Sequence, residues 1–236
     1  MIVLAWLASA GLAAGAEAEM RADFATTMQS IMANLRAGTS YARTGNTSLA
    51  QIETDEAVAG WKRLQEQPGT AAPTPYRAAA LTAFLAEGTE RLAAASRALG
   101  NEDNGTAGRE LLAVRRAFHD LRHASGLYDL GDCIFEIAPA METLRAAATR
   151  FGENAVAAHA ADTVAAAAVF RDRLQRCDRW ADRDVAKQAE FRRLIDGAIA
   201  SAGEISRVAL AGDGGLVHRY VIELQSYAHL LDFRFG

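Results

Sequence analysis

The sequence is poor in residues that break helices, cross-link chains or bind nucleic acids. Its 236 residues include four prolines, two cysteines and only two lysines, Lys62 and Lys187. Half of the residues are hydrophobic, many of them alanine, and a chain of this kind with little proline favours helices over strands. The net charge is −4 and the arginines are dispersed among acidic residues, so we expect no basic surface for nucleic acid.

Several motifs for catalysis and metal binding are also absent. The chain has no Cys-x-x-Cys-His for covalent haem, no zinc-type cluster of Cys and His, and no Ser/His/Asp, paired-carboxylate or glycine-rich phosphate motif. His123 follows His119 by four residues, a spacing that lets one helix face hold a metal ion, but no acidic third ligand is evident. We interpret His123 and His159 as surface residues, and we predict that the protein is not an enzyme.

The N-terminal segment, residues 1–18, has the pattern of a secretory signal peptide. Ile2 to Leu12 is an apolar run too short to span a bilayer comfortably, and small residues at 14–16 and 16–18 fit the cleavage rule. No Lys or Arg precedes the run, so an N-terminal membrane anchor that stays attached is the alternative. We predict a periplasmic protein that has no membrane contact after cleavage.

Apolar residues recur in steps of three and four along most of the chain, which is the pattern of one helix face. The helices predicted for the first half are Glu19–Arg43, Thr47–Gln67, Tyr76–Leu99 and one that begins at Thr106. Those predicted for the second half are Ala138–Phe151, Asn154–Cys177, Val185–Leu210 and Gly215–Phe233. Short connections make consecutive helices antiparallel neighbours. The sequence therefore predicts an all-α protein of two tandem up-down-up-down four-helix bundles, residues 19–129 and 130–236.

Short segments recur about 110 residues apart in the same order, which indicates an internal duplication. The matches are Met32–Ala37 with Met141–Ala146, Ser96-Arg97 with Ser206-Arg207, and Leu127-Tyr128-Asp129 with Leu230-Leu231-Asp232. In this alignment Ile222 stands where the first copy has His119.

The two cysteines lie at similar distances on either side of the turn Gly152-Glu153-Asn154. Because each residue of a helix adds the same rise, Cys133 and Cys177 on antiparallel helices then come to nearly the same height. An even cysteine count in an exported protein favours pairing, so we predict a disulfide between them, and two buried free thiols are the alternative.

The same height argument brings together two residues of the first copy. Met32 lies as far before Gly45 as His119 lies after Thr106, and these turns are at the same end of an up-down bundle. The first and fourth helices are neighbours, so we expect Met32 and His119 to face each other. A thioether and an imidazole in this arrangement are a candidate axial pair for haem iron. The nearby cations that would balance the haem propionates are Arg115, Arg116 and Arg122.

Residues 20–125 resemble the cytochrome b562 family. The resemblance rests on Met-x-x-Leu in the first helix, the proline-rich second loop, and Arg115-Arg116-Ala117-Phe118-His119 in the last helix. Members of that family are periplasmic four-helix bundles with one non-covalent b-type haem between a Met of the first helix and a His of the last. The resemblance implies that Met32 and His119 are the ligands, although an early start of the first helix leaves Met28 as a rival.

The second copy is expected to lack haem. Ile222 cannot ligate iron, and we expect it to pack against Met141, while His218 and His229 lie about a turn or more from that level. The predicted function is one-electron transfer with a periplasmic redox partner, because two filled axial positions leave no open site for a substrate. The alternative is a haem-free duplicated bundle that binds a protein or a small molecule.

Overall fold

The computed structural model describes the backbone of residues 4–66 and 75–236, with the side chains of 22–66 and 75–236. Every regular element in these residues is a helix, so the predicted all-α class is confirmed. The chain divides into two compact units, Met1–Leu127 and Tyr128–Gly236, and this division lies two residues before the predicted boundary.

The first unit is a four-helix bundle. Its helices are α1 (Leu4–Arg43), α2 (Thr47–Glu66), α3 (Ala78–Gly100) and α4 (Asn104–Ala124). Each helix packs against the next, and α4 packs back against α1, which closes the bundle. The connection between α2 and α3 contains residues 67–74, so most of the predicted proline-rich linker lies outside the described residues.

Both short turns of the first unit lie at the same end of the bundle. The Asn104 side-chain amide at the start of α4 donates a hydrogen bond of 2.8 Å to the Thr47 hydroxyl at the start of α2. Gly45 and Glu102 have positive φ angles of 76° and 59°, which allow the tight reversals there. Because α1 ends and α4 begins at this end, the two helices are antiparallel.

The core of the first unit is built around aromatic rings. Trp61 is 2% exposed and lies 5.2 Å, centroid to centroid, from Phe84, which in turn lies 5.6 Å from Phe118. Gly88 on α3 makes room for the indole, since a Cβ there would lie 2.1 Å from Trp61 Cζ2. The packing of this core therefore requires glycine at position 88.

The second unit is also a bundle, with one short helix added at its start. Its elements are α5 (Leu130–Phe135), α6 (Ile137–Glu153), α7 (Ala157–Trp180), a 3-10 turn (Val185–Lys187), α8 (Ala189–Leu210) and α9 (Gly214–Phe235). The helices α6 to α9 form the closed bundle, and α5 packs on α7 and α9. The sequence did not predict α5. Pro139 lies in the first turn of α6, where its missing N–H costs no helix hydrogen bond.

The predicted disulfide is present. Cys133 and Cys177 are bonded, with their Cα atoms 5.5 Å apart, and both residues are fully buried. The bond joins α5 to α7, so it does not clamp the first two long helices of the bundle as the height argument expected. The reason is that the helix breaks at Glu136, which separates Cys133 in α5 from the long helix α6.

The first helix is longer than predicted. It begins at Leu4 instead of Glu19 and so runs through most of the predicted signal segment, of which Met1–Val3 lie outside the described residues. Cleavage of this segment stays a prediction. Within the part of the chain that the structure describes, no helix combines the length and the apolar character needed to cross a membrane.

Candidate functional site

Met32 lies at the flank of α1 that faces α4. Its neighbour Ile31 points to α2, since a Cβ on Gly60 of α2 would lie 2.8 Å from Ile31 Cγ1. Met32 is about 100° further around the helix, and the second helix that packs extensively on α1 is α4. The thioether is buried, with 9% of the residue exposed, and the rival Met28 lies deeper in the core at 1%.

His119 lies at the flank of α4 that faces α1. On the opposite side of α4, about two and a half turns back, Glu110 accepts a hydrogen bond of 3.1 Å from Arg91 of α3. Gly108, three turns back on the same side of α4, faces Ala42 of α1, so His119 lies on the flank towards α1, and only 16% of its side chain is exposed. The Nε2 atom of this ring is buried, so the exposed part of the side chain lies elsewhere on the residue.

Contacts between small residues fix the register of α1 and α4. A Cβ on Gly108 would lie 3.6 Å from the Ala42 Cβ, and one on Gly38 would lie 3.2 Å from Leu111 Cδ1. Counting equal steps from the Gly108–Ala42 contact along antiparallel helices brings His119 level with Ile31, the neighbour of Met32. The two residues are thus on facing flanks at nearly the same height.

Asp120 lies beside the imidazole of His119. Its Oδ1 lies 3.3 Å from His119 Nδ1. When Nδ1 carries the proton and donates to this carboxylate, Nε2 keeps its lone pair and is the nitrogen that can bind a metal. Histidines that ligate metals commonly have such a partner on their other nitrogen. The donor set of thioether and imidazole therefore fits the axial positions of haem iron.

The three arginines named from the sequence differ in their surroundings. Arg115 is 6% exposed, whereas Arg116 is exposed and Arg122 is half-buried. The Arg122 guanidinium lies 5.7 Å from the centre of the Phe118 ring, which forms the rim of the aromatic core beside His119. Arg116 and Arg122 are accessible to an anionic group at the surface, and Arg115 is not.

His123 does not complete a metal cluster with His119. The two rings are stacked with centroids 6.3 Å apart, and His123 is exposed. Among residues 4–66 and 75–236 no group of three or more His, Cys, Asp or Glu is arranged to hold a metal ion.

The structure corrects the alignment of the two halves at Ile222. Ile222 is 50% exposed on α9, so it is not the buried core residue expected beside Met141, which is 6% exposed. Counted from the N-caps of α4 and α9, Asp103 and Asp213, the counterpart of His119 is His229. The expectation that the second unit lacks haem therefore loses its argument from Ile222.

No related protein provides a comparison for this site. Comparisons of the chain with protein-family models, with curated proteins and with solved structures find no match.

Proposed function

We propose that the first unit binds one b-type haem through Met32 and His119 and serves in one-electron transfer. The observation that carries the proposal is the placement of a thioether and an imidazole on facing flanks of α1 and α4 at nearly the same height. When bound, haem supplies an iron centre that cycles between the ferric and ferrous states. Met32 and His119 would hold the haem, and Asp120, 3.3 Å from the imidazole, would orient the ring.

Electron transfer suits this site better than catalysis. A haem held by both Met32 and His119 would have no iron position left for a substrate. Arg122 lies over the Phe118 ring and Arg116 is exposed on the same helix, and both guanidinium groups would pair with the haem propionates. The partner that this function requires is a redox protein of the same compartment.

A periplasmic location is part of the proposal. It is supported by the Cys133–Cys177 disulfide, because such bonds persist in oxidising compartments, and by the signal-like pattern at the N-terminus. The disulfide alone fits any oxidising compartment.

The test is haem titration of the full chain with two pairs of matched variants. His119→Ala is expected to abolish the low-spin spectrum, while His123→Ala, one turn along the same helix, leaves it unchanged. Met32→Leu is expected to convert the haem to a high-spin form, while Met28→Leu, one turn away on the same helix, does not. Absence of a Soret shift in the wild-type protein, or equal effects within either pair, would overturn the proposal.

A haem-free binding module is the second candidate, and two clefts on the second unit favour it. One, of about 220 Å³, lies between α7 and α8 and is lined by Arg171, Asp172 and Ser206 among others. The other, of about 400 Å³, lies between α6 and α7 beside Val169, which is 56% exposed. Wild-type protein that stays colourless after haem addition, with a folded circular-dichroism spectrum, would favour this candidate.

A further inference from the structure

The helices α4 and α9 begin with the same turn. Glu102 and Gly212 both have positive φ, and each is followed by an aspartate that caps the helix. Asp103 accepts a hydrogen bond of 2.9 Å from the Thr106 backbone N–H, and Asp213 accepts one of 2.8 Å from that of Leu216. Counting the same number of residues from each cap therefore aligns the two helices by structure, without relying on similar residue types.

This alignment pairs four of the five buried positions of each helix, and the exceptions, Arg115 and Ala228, fall opposite half-buried residues. The pairs are Ala107 with Val217, Leu111 with Val221, Val114 with Leu224, and Leu121 with Leu231. It also pairs His119 with His229. Both histidines lie at the same position relative to the buried face of their helix.

The helices α1 and α6 match in the same way around their methionines. Met28, Met32, Leu35 and Ala42 are buried in the first unit, and the corresponding buried residues of the second unit are Ile137, Met141, Leu144 and Phe151. Met32 and Met141 thus hold equivalent places in their bundles. The second unit keeps both members of the candidate ligand pair.

Contacts within the second unit bring this pair close in height. A Cβ on Gly214 would lie 3.6 Å from the Gly152 Cα, which sets the register of α9 against α6. Equal steps from that contact bring His229 level with Ile137, about one helical turn from Met141. A thioether and an imidazole on adjacent helices can span one turn between them.

The charges around the two pairs differ. The positions of Arg115, Arg116 and Arg122 are held in the second unit by Gln225, Ser226 and Asp232. A site without these cations, and with a carboxylate in place of one, is less favourable for the carboxylates of haem. His229 is also exposed, whereas His119 is mostly buried.

We infer that Met141 and His229 form a second haem site, weaker than the first, so that the full chain binds two haems. This inference rests on the proposed function of the first unit, because it assigns the same ligand to an equivalent pair. The second site lacks counterparts of the accessible Arg116 and Arg122, and the loss of these two charge contacts with the haem propionates should weaken binding roughly tenfold.

The experiment is a haem titration of the full chain, monitored by the Soret band and by the haem content of protein after gel filtration. Two haems per chain are expected, in a tight and a weaker step. His229→Ala should remove only the weaker step, while His218→Ala on the same helix should leave both. Asp232→Arg, which restores the cation at the position of Arg122, should tighten the weaker step, and it reports on the site without removing a ligand.

The possible results separate the two claims. One haem that is lost in His119→Ala and retained in His229→Ala would overturn the second site and leave the proposed function standing. No haem in the wild-type chain would overturn both. Two haems with a weaker step unaffected by both His229→Ala and Asp232→Arg would show that the second haem binds elsewhere, and would overturn this assignment.

Discussion

The two units have the same bundle architecture but are held together differently. The first has no cysteine and depends on aromatic packing, with Trp61 at its centre. The second adds α5, which is tied to α7 by the buried Cys133–Cys177 bond. Both units thus have packed apolar cores, and the second has a covalent link in addition.

Polar contacts reinforce the attachment of α5 in the second unit. The Tyr128 hydroxyl donates to Glu136 at 3.0 Å, and Arg173 donates to the same carboxylate at 3.0 Å. Burial and the Glu136 carboxylate raise the pKa of Tyr128 to about 12, so the phenol stays protonated and continues to donate at neutral pH. Trp180 packs edge-on against the Tyr128 ring at 4.9 Å. The connection that precedes α6 is therefore fixed by a bond, a shared carboxylate and a ring contact.

The largest effect is expected from removing the aromatic centre of the first unit. Trp61→Ala deletes a buried indole whose N–H donates to the Thr89 hydroxyl at 3.2 Å, and should lower the free energy of unfolding of that unit by about 3–5 kcal/mol. Hydrogen exchange read separately in α1–α4 and α6–α9 provides the measurement. If exchange in α6–α9 rises as much as in α1–α4, the units do not unfold independently, and the claim that each unit has its own source of stability is refuted.

A somewhat smaller effect is expected from removing the disulfide. The bond closes a loop between residues 44 apart, and opening it should destabilise the second unit by about 3–4 kcal/mol through the entropy of the unfolded chain. Replacement of both Cys133 and Cys177 by alanine should accelerate exchange in α5 and α7 and leave α1–α4 unchanged. Thiol titration of the denatured, unreduced wild-type protein should detect no free thiol, and two free thiols would contradict the bond.

Much of the fold was predictable because it depends on local signals. The period of apolar residues located the long helices. The turns around Gly45 and Thr106 predicted that Met32 and His119 lie at a similar height, and the glycine contacts between α1 and α4 indicate the same register. The short helix α5 was missed because six residues are too few to show a period. Its boundary with α6 depends on Glu136, which carries no sequence signal for a break.

The error at Ile222 has a physical cause. The matched triplets that suggested it lie in different contexts: Leu127-Tyr128-Asp129 precedes α5, whereas Leu230-Leu231-Asp232 lies within α9. Ile222 and His229 are seven residues apart, nearly two full turns, so both alignments place the residue on the same side of the helix. Periodicity therefore fits either alignment, and only the capping geometry of Asp103 and Asp213 distinguishes them.

The smallest effect is expected from the caps themselves, and it tests the alignment of the two units directly. Asp103→Ala and Asp213→Ala each remove one acceptor from the start of an equivalent helix, so each should lower the Tm of its unit by a few degrees.

The hydroxyl and backbone N–H of Thr106 hold the pKa of Asp103 below its usual range. The charged cap therefore stabilises the first unit at pH values above the ordinary Asp pKa of about 4, and this contribution is lost as the pH falls through the lowered value. Asp103→Asn keeps a capping oxygen without the charge, so its difference from wild type should shrink towards low pH. A difference that grows on acidification would contradict the lowered pKa of Asp103. A cap effect in only one unit would break the equivalence of α4 and α9 on which the second haem site depends.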